Sequence, residues 1–308
     1  MNGKRHISLR TPKSPIAREV VITTVRQPAV AGTFYPARPD ELRRMVEEFV
    51  GTAVVPPLPT APKAIIAPHA GYIYSGPTAA AAYAALRQFA SQVQRVVLLG
   101  PAHTLAFDGL AAPDADSFAT PLGEVLLDWA ALDSILALPS VQVLPAAHAR
   151  EHGLEVHLPF LQVVVGGAFR LVPLVVGDVW AEEVTAVLDL LWGGPETLIV
   201  ISSDLSHYHD YATAQRMDAA TAEAIEQLNP AAIGRDQACG RRPIQGLLLA
   251  AQMRHLTVHR LDLRNSGDTA GRKERVVGYG AWGFNDSNHS NGRLLTVLAR
   301  KESVSGRL

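Results

Sequence analysis

Short apolar runs alternate with longer amphipathic ones along most of the chain. Ala64-Ile65-Ile66-Ala67 is the first such run, and its continuous apolar character predicts a strand buried on both faces. Arg95–Leu99, Phe169–Val176 and Leu198–Ser202 repeat that pattern, and Gly109–Ala112 and Gly123–Leu127 predict two more strands. Between them, Thr78–Phe89, Trp129–Leu138, Ala181–Trp192, Asp210–Leu228 and Pro243–Leu256 carry helical spacing. Thr257–Leu263 and Val276–Phe284 close the series. Buried strands separated by helices predict an α/β fold. It is a single domain with a central mixed or mostly parallel sheet flanked by helices on both faces.

A chain of 308 residues invites division at about 150 residues per domain, but α/β folds often run longer as one unit. No Ser/Pro-rich linker or internal repeat interrupts residues 28–285. The expected organisation is a flexible N-terminal tail over residues 1–25, a domain over 26–285 and a polar C-terminal tail over 286–308. The first nineteen residues are basic but lack an apolar core, which excludes a secretory signal there. No stretch has the roughly 18 apolar residues of a membrane span.

With 28 basic and 29 acidic side chains, the formal charge is −1. So even a balance provides no general attraction to nucleic acid or anionic membrane, and neither is expected as a partner. One cysteine, Cys239, rules out an internal disulfide framework and a multi-cysteine zinc cluster. A reducing, cytoplasmic location suits that usage.

Candidate chemistry gathers where strands end. In open α/β sheets, ligands bind just beyond the carboxyl ends of the strands. Ala64–Ala67 runs into Pro68-His69-Ala70-Gly71-Tyr72, Val96–Leu99 into Gly100-Pro101-Ala102-His103, and Leu198–Ile201 into Ser202-Ser203-Asp204-Leu205-Ser206-His207-Tyr208. A histidine after one strand is ordinarily structural. Three at equivalent places suggest a metal site, since imidazole is the commonest biological metal ligand. Cys239 precedes a helix that Pro243 can open, and that helix end with Arg241 and Arg242 favours thiolate. On its own it reads as a small buried residue; with two histidines it completes a set of two imidazoles and one anion.

These residues carry a family resemblance. The chain resembles the Memo family, known in bacteria and archaea as protein B of the AmmeMemoRadiSam set. That family is similar in fold to the catalytic subunit of class III extradiol ring-cleaving dioxygenases. The matching stretches are Ala29–Pro36 (AVAGTFYP), Pro68–Gly76 (PHAGYIYSG), Gly100–His103 (GPAH) and Glu151–Phe160 (EHGLEVHLPF). Ser202–His207 (SSDLSH), Ala238–Ile244 (ACGRRPI), Asn265–Asp268 (NSGD) and Val277–Gly280 (VGYG) complete them. By resemblance, His69, His103 and Cys239 bind the metal, while Asp204 and His207 line the same pocket, His207 as acid–base. Tyr72, Glu151, His152 and Tyr208 are then pocket or outer residues. In the dioxygenases the metal is Fe(II) and the third ligand a carboxylate, so Cys239 departs from the enzymes. Gly153 and His157 also stand where bacterial members commonly carry Ser and Gln.

The resemblance implies one metal ion, Fe(II) ahead of copper, with redox or oxygen-related chemistry. It also implies an AMMECR-type protein and a radical SAM enzyme as partners, and a small aromatic or peptide ligand. A non-catalytic adaptor using the same pocket is the alternative, because an animal member is regarded as a signalling adaptor. Three other patterns weigh less. His148-Ala149-Arg150-Glu151-His152 spells the inverted zinc-peptidase motif, but Pro145 and Gly153 leave little room for its helix. Gly278–Gly283 matches G-x-G-x-x-G without a following helix. Ser202 and Ser203 lie beside Asp204 and His207 without a nucleophile elbow.

Overall fold

The buried apolar runs become neighbouring strands in the computed structural model, which describes residues 24–286. In chain order, the first third comprises β1 (Val25–Arg26), α1 (Pro39–Thr52), β2 (Ala64–Ala67), α2 (Tyr72–Ala84) and β3 (Arg95–Pro101). Then come β4 (Leu110–Ala112), β5 (Ser117–Thr120), β6 (Gly123–Leu126), α3 (Trp129–Ile135), β7 (Val141–Val143), α4 (Pro145–Ala149) and α5 (Leu158–Val164). The last part holds β8 (Arg170–Val176), α6 (Ala181–Leu191), β9 (Thr197–Ser202), β10 (His207–His209), α7 (Tyr211–Glu226), α8 (Arg241–Met253), β11 (Leu256–Asn265) and β12 (Val276–Asp286). No helix among the described residues is long and apolar enough to cross a membrane.

β2, β9, β3 and β8 lie side by side and parallel. Antiparallel strands extend both flanks: β12 pairs with β2 and then with β11, while β4 pairs antiparallel with β8 and carries β7. β10 pairs with the start of β12. A separate three-stranded sheet joins β1, β5 and β6. The parallel strands are almost wholly buried, as continuous Val/Ile/Leu runs require when both faces are covered. The α/β class, the mixed sheet and the helical cover are as expected; the tails assigned to 1–25 and 286–308 fall almost entirely outside the described residues.

Element boundaries differ in instructive ways. α2 begins at Tyr72, six residues before the expected Thr78, and Pro77 lies inside it. Past Ala84 the chain makes a short 3-10 turn over Arg87–Gln92 instead of continuing as helix. α1 is absent from the sequence reading although its signals are present. Pro39 stands in its first turn with Asp40 and Glu41, and Leu42, Val46 and Val50 form a stripe spaced by four that is fully buried. The short elements β5, β7, β10, α4 and α5 also escaped, because three to seven residues hold too few positions to show a period.

Candidate metal centre

Since β9 lies between β2 and β3, the carboxyl ends of three adjacent strands open onto one place. β2 delivers His69, β3 delivers His103, and β9 delivers Ser202, Ser203 and Asp204. Their spacing of roughly 5 Å per strand brings residues 34 and 135 positions apart in sequence within side-chain reach. Ring centroids of His69 and His103 are 5.0 Å apart and nearly perpendicular. His152, from the loop after α4, stacks on His103 at 4.5 Å. One ligand atom from each of His69, His103 and His152 lies within 4.8 Å of the other two, so the three could hold a metal ion.

The hydrogen bonds fix which nitrogen of each imidazole is available. Ser202 Oγ donates to the Gly153 carbonyl, so at 2.6 Å from His69 Nδ1 it can only accept. His69 therefore carries its proton on Nδ1 and leaves Nε2 bare. His103 Nδ1 meets Glu151 Oε1 at 2.7 Å, while Glu151 Oε2 accepts the His103 backbone N–H at 2.7 Å. The Gly153 N–H adds a third bond to the same carboxylate. A carboxylate behind an imidazole orients it and raises its basicity toward a metal.

Burial governs the charge of the cluster. Desolvation, followed by the neighbouring imidazoles, holds His69 well below the usual histidine value, and burial with His103 does the same for His152. Burial works to raise Glu151, yet the bonds and charge of His103 with the Gly153 N–H bring it below its usual value. Neutral His69 and His152 beside an ionised Glu151 suit a divalent ion.

Cys239 sits two residues before α8, with its Sγ 3.4 Å from His69 Nε2 and accepting the Asp204 N–H at 3.3 Å. Gly240 permits this approach, because a Cβ there would stand 2.5 Å from the Ser202 carbonyl oxygen. The sequence argument for a thiolate does not hold for the sulfur as it stands. Burial, then the Asp204 carboxylate, pushes the thiol up to about 12. Arg242 is turned away to Asp178 at 2.8 Å and over the Trp180 ring. A metal binding this sulfur would release its proton.

Asp204 and His207 are both present at the site, but each is held by other partners. Asp204 is buried; desolvation raises its carboxyl even though Oδ1 accepts the His69 backbone N–H at 2.7 Å. His207 Nδ1 donates to the Leu205 carbonyl at 2.8 Å, which fixes its tautomer without Asp204. Tyr72 is buried with its hydroxyl donated to the Val156 carbonyl, so it supports the wall and offers no donor to a ligand. Tyr208 is 63% exposed, at φ 63°, with the Arg275 guanidinium 4.7 Å over its ring. A bulky residue in that left-handed region is uncommon and strained.

The lesser patterns do not assemble. α4 stops at Ala149, and buried His148 donates Nε2 to the Ala111 carbonyl at 2.9 Å, so only His152 of that pair joins the cluster. Gly278–Gly283 lies within β12. Ser202 and Ser203 both donate to backbone carbonyls.

One contributor escaped sequence reasoning. Glu155 is fully buried, pairs with Arg26, and accepts the Ala29 and Val30 N–H groups and the Tyr35 hydroxyl. It thereby clamps the loop that lays Phe34 against His152, ring to ring at 4.9 Å. The signal was a glutamate inside the apolar stretch Leu154–Phe160, where an unpaired charge would be untenable.

A mixed α/β sheet whose parallel strands bring imidazoles together at their carboxyl rim defines a site that could hold a metal ion. The chain belongs to the Memo family, whose model, described as Memo-like protein, matches residues 26–282. It is 37% identical over 265 residues to a MEMO1 family protein of Aquifex aeolicus, covering 83% of this chain and 97% of that one. It is 39% identical over 280 residues to one of Aeropyrum pernix, covering 83% and 98%. With one of Ignicoccus hospitalis the identity is 36% over 291 residues, covering 84% and 98%.

Proposed function

We propose that this protein binds one redox-active metal ion, Fe(II) in preference to copper, through His69, His103 and Cys239, and performs oxygen-related or redox chemistry in a cytoplasmic setting. The observation that carries the reading is the commitment of both Nδ1 atoms, of His69 to Ser202 and of His103 to Glu151, which leaves both Nε2 atoms bare, that of His69 3.4 Å from Cys239 Sγ. At 3.4 Å, His69 Nε2 and Cys239 Sγ are close enough to share one ion. His152 is stacked nearly parallel on His103, 28° between planes, an arrangement that suits a pocket wall better than a donor to the same ion.

A metal so held would supply a Lewis-acidic, redox-active centre. The chain's own groups supply the rest. His207, with Nδ1 bound to the Leu205 carbonyl, keeps Nε2 for taking or giving a proton. Asp204 anchors the His69 backbone, and Phe34 with His152 forms an apolar-edged wall against which an aromatic ring can lie.

Metal content of protein purified without oxygen tests the assignment. His69→Ala, His103→Ala and Cys239→Ala should each lose most of the metal, whereas His152→Ala and His207→Ala should retain it. Full occupancy in Cys239→Ala with loss in His152→Ala would move the third donor to His152. Anaerobic Fe(II) protein should bind nitric oxide at an open position. A metal that takes no nitric oxide, in protein that captures a partner, favours the adaptor reading.

A further inference from the structure

A cavity of about 660 Å³ opens at the end of the sheet remote from the candidate metal centre, around Lys63, which immediately precedes β2. Its walls include Pro59 and Pro62 ahead of β2, Phe89 of the 3-10 turn, Trp192 and Pro195 after α6, and Asp286, the last residue of β12. It is largely apolar and large enough to take several side chains. Lys63 belongs to the wall. Its Nζ faces the Gly194 and Thr197 carbonyls at 2.8 Å and the Gly193 carbonyl at 3.5 Å, with the Trp192 ring centre at 5.5 Å. An ammonium so surrounded has its three N–H bonds committed.

The charges around this cavity are unevenly satisfied. Arg254 pairs with Asp189 at 2.7 Å and lies over the Trp192 ring, and Arg95 pairs with Asp128 at 2.7 Å. Glu196 and Asp286, the acids beside Lys63, form no salt bridge among the described residues. An apolar cavity edged by two unpaired carboxylates fits a segment that is apolar between cations. The chain carries one directly after the cavity wall. Asp286 is followed by the polar stretch Ser287-Asn288-His289-Ser290-Asn291-Gly292, then by Arg293-Leu294-Leu295-Thr296-Val297-Leu298-Ala299-Arg300-Lys301. Five of the six residues 294–299 are apolar, with one cation before them and two after. Asn291-Gly292 is a preferred turn dipeptide. Leu294 stands eight residues past Asp286, a reach of up to about 28 Å, so the run can turn back onto the cavity beside which it departs.

We propose that this cavity is the docking site of the chain's own C-terminal segment, residues 294–299. The leucines and Val297 lie against Phe89, Trp192 and the prolines, which removes apolar surface of both partners from water. The flanking Arg293, Arg300 and Lys301 supply the cations that Glu196 and Asp286 lack. The segment thereby closes the end of the sheet remote from His69 and His103 and leaves the metal centre open.

Full-length protein with the photoreactive residue p-benzoylphenylalanine in place of Leu295, irradiated in dilute solution and mapped by peptide mass, tests this. Position 295 lies beyond the last strand, so the substitution leaves the packed sheet intact. The dominant adduct should lie within one chain and join residue 295 to residues 59–63, 89–92 or 192–197. Adding Leu294→Asp and Leu298→Asp should cut that adduct at least about tenfold, because burying unpaired carboxylates in an apolar cavity is costly. An adduct on any other part of the chain, or none at all, overturns the proposal. So does an adduct between two chains, which would make a second copy the occupant, and so does one that survives both aspartates undiminished.

Discussion

Glu151 illustrates how a single side chain can set a candidate metal site without touching the metal. One oxygen receives the His103 ring N–H and the other its backbone N–H, so ring and loop are fixed together. Glu151→Gln preserves the shape and an acceptor oxygen but removes the charge that makes the imidazole a strong donor. Metal affinity should fall about 10–100-fold, as measured by competitive titration, with the fold unchanged. A Glu151→Gln protein that binds metal as tightly as the parent would dismiss this role. Ser202 plays the neutral counterpart for His69, accepting from Nδ1 while donating to Gly153.

Among the elements, the clamp made by Glu155 is the most exposed to a single change. It sits in a 3-10 turn (Glu155–His157) and holds the segment from Arg26 to Tyr35 by one ion pair and three hydrogen bonds. Removing one partner of a buried pair leaves an uncompensated charge, at a typical cost of about 3–5 kcal/mol. Glu155→Gln should thus lower the urea midpoint substantially and open residues 26–35 to protease, loosening Phe34 from His152 as well. If the variant melts like the parent, the segment is held by other contacts. The predicted Thr78 start for α2 shows the same lesson from the other side: Tyr72 belongs to the helix because its ring packs on Tyr35 and Phe160, contacts invisible along the chain.

Over the whole molecule, buried histidines make stability pH-dependent. Burial lowers His148 to about 4 and His157 to about 3, and His69 and His152 move the same way. Unfolded histidine titrates near 6.5, so between about 6.5 and 4 the unfolded chain binds more protons than the fold. Their contribution is complete above that window and is lost as pH falls through it, on the order of a few kcal/mol each for His148 and His157. Asp218 opposes this: raised by burial to about 6, it gains stability as pH falls toward 4. Asp204, also raised by burial, acts in the same direction, and two carboxyls against four imidazoles leave a net loss. Melting temperature followed by calorimetry should drop from above about pH 6.5 down to about pH 4. A flat profile would contradict the burial of these rings in neutral form.

The sheet, its helical cover and the rim that gathers the histidines were legible in the sequence, because continuous apolar runs this short, rich in Val and Ile, pack as strands buried on both faces. His69, His103 and the Asp204–His207 loop were legible for the same reason, as polar residues directly following such runs. Short elements, the start of α2 and the clamp at Glu155 were not, since each is set by partners distant along the chain. The protonation of Cys239 belongs to this second group: a helix end and two arginines argue for thiolate along the chain, yet folding buries the sulfur and turns Arg242 to Asp178. So does the place of His152, brought onto His103 by a loop and not by a strand. Periodicity records which faces are buried, whereas the dielectric and the hydrogen-bond partners at each atom exist only once the chain has closed around it.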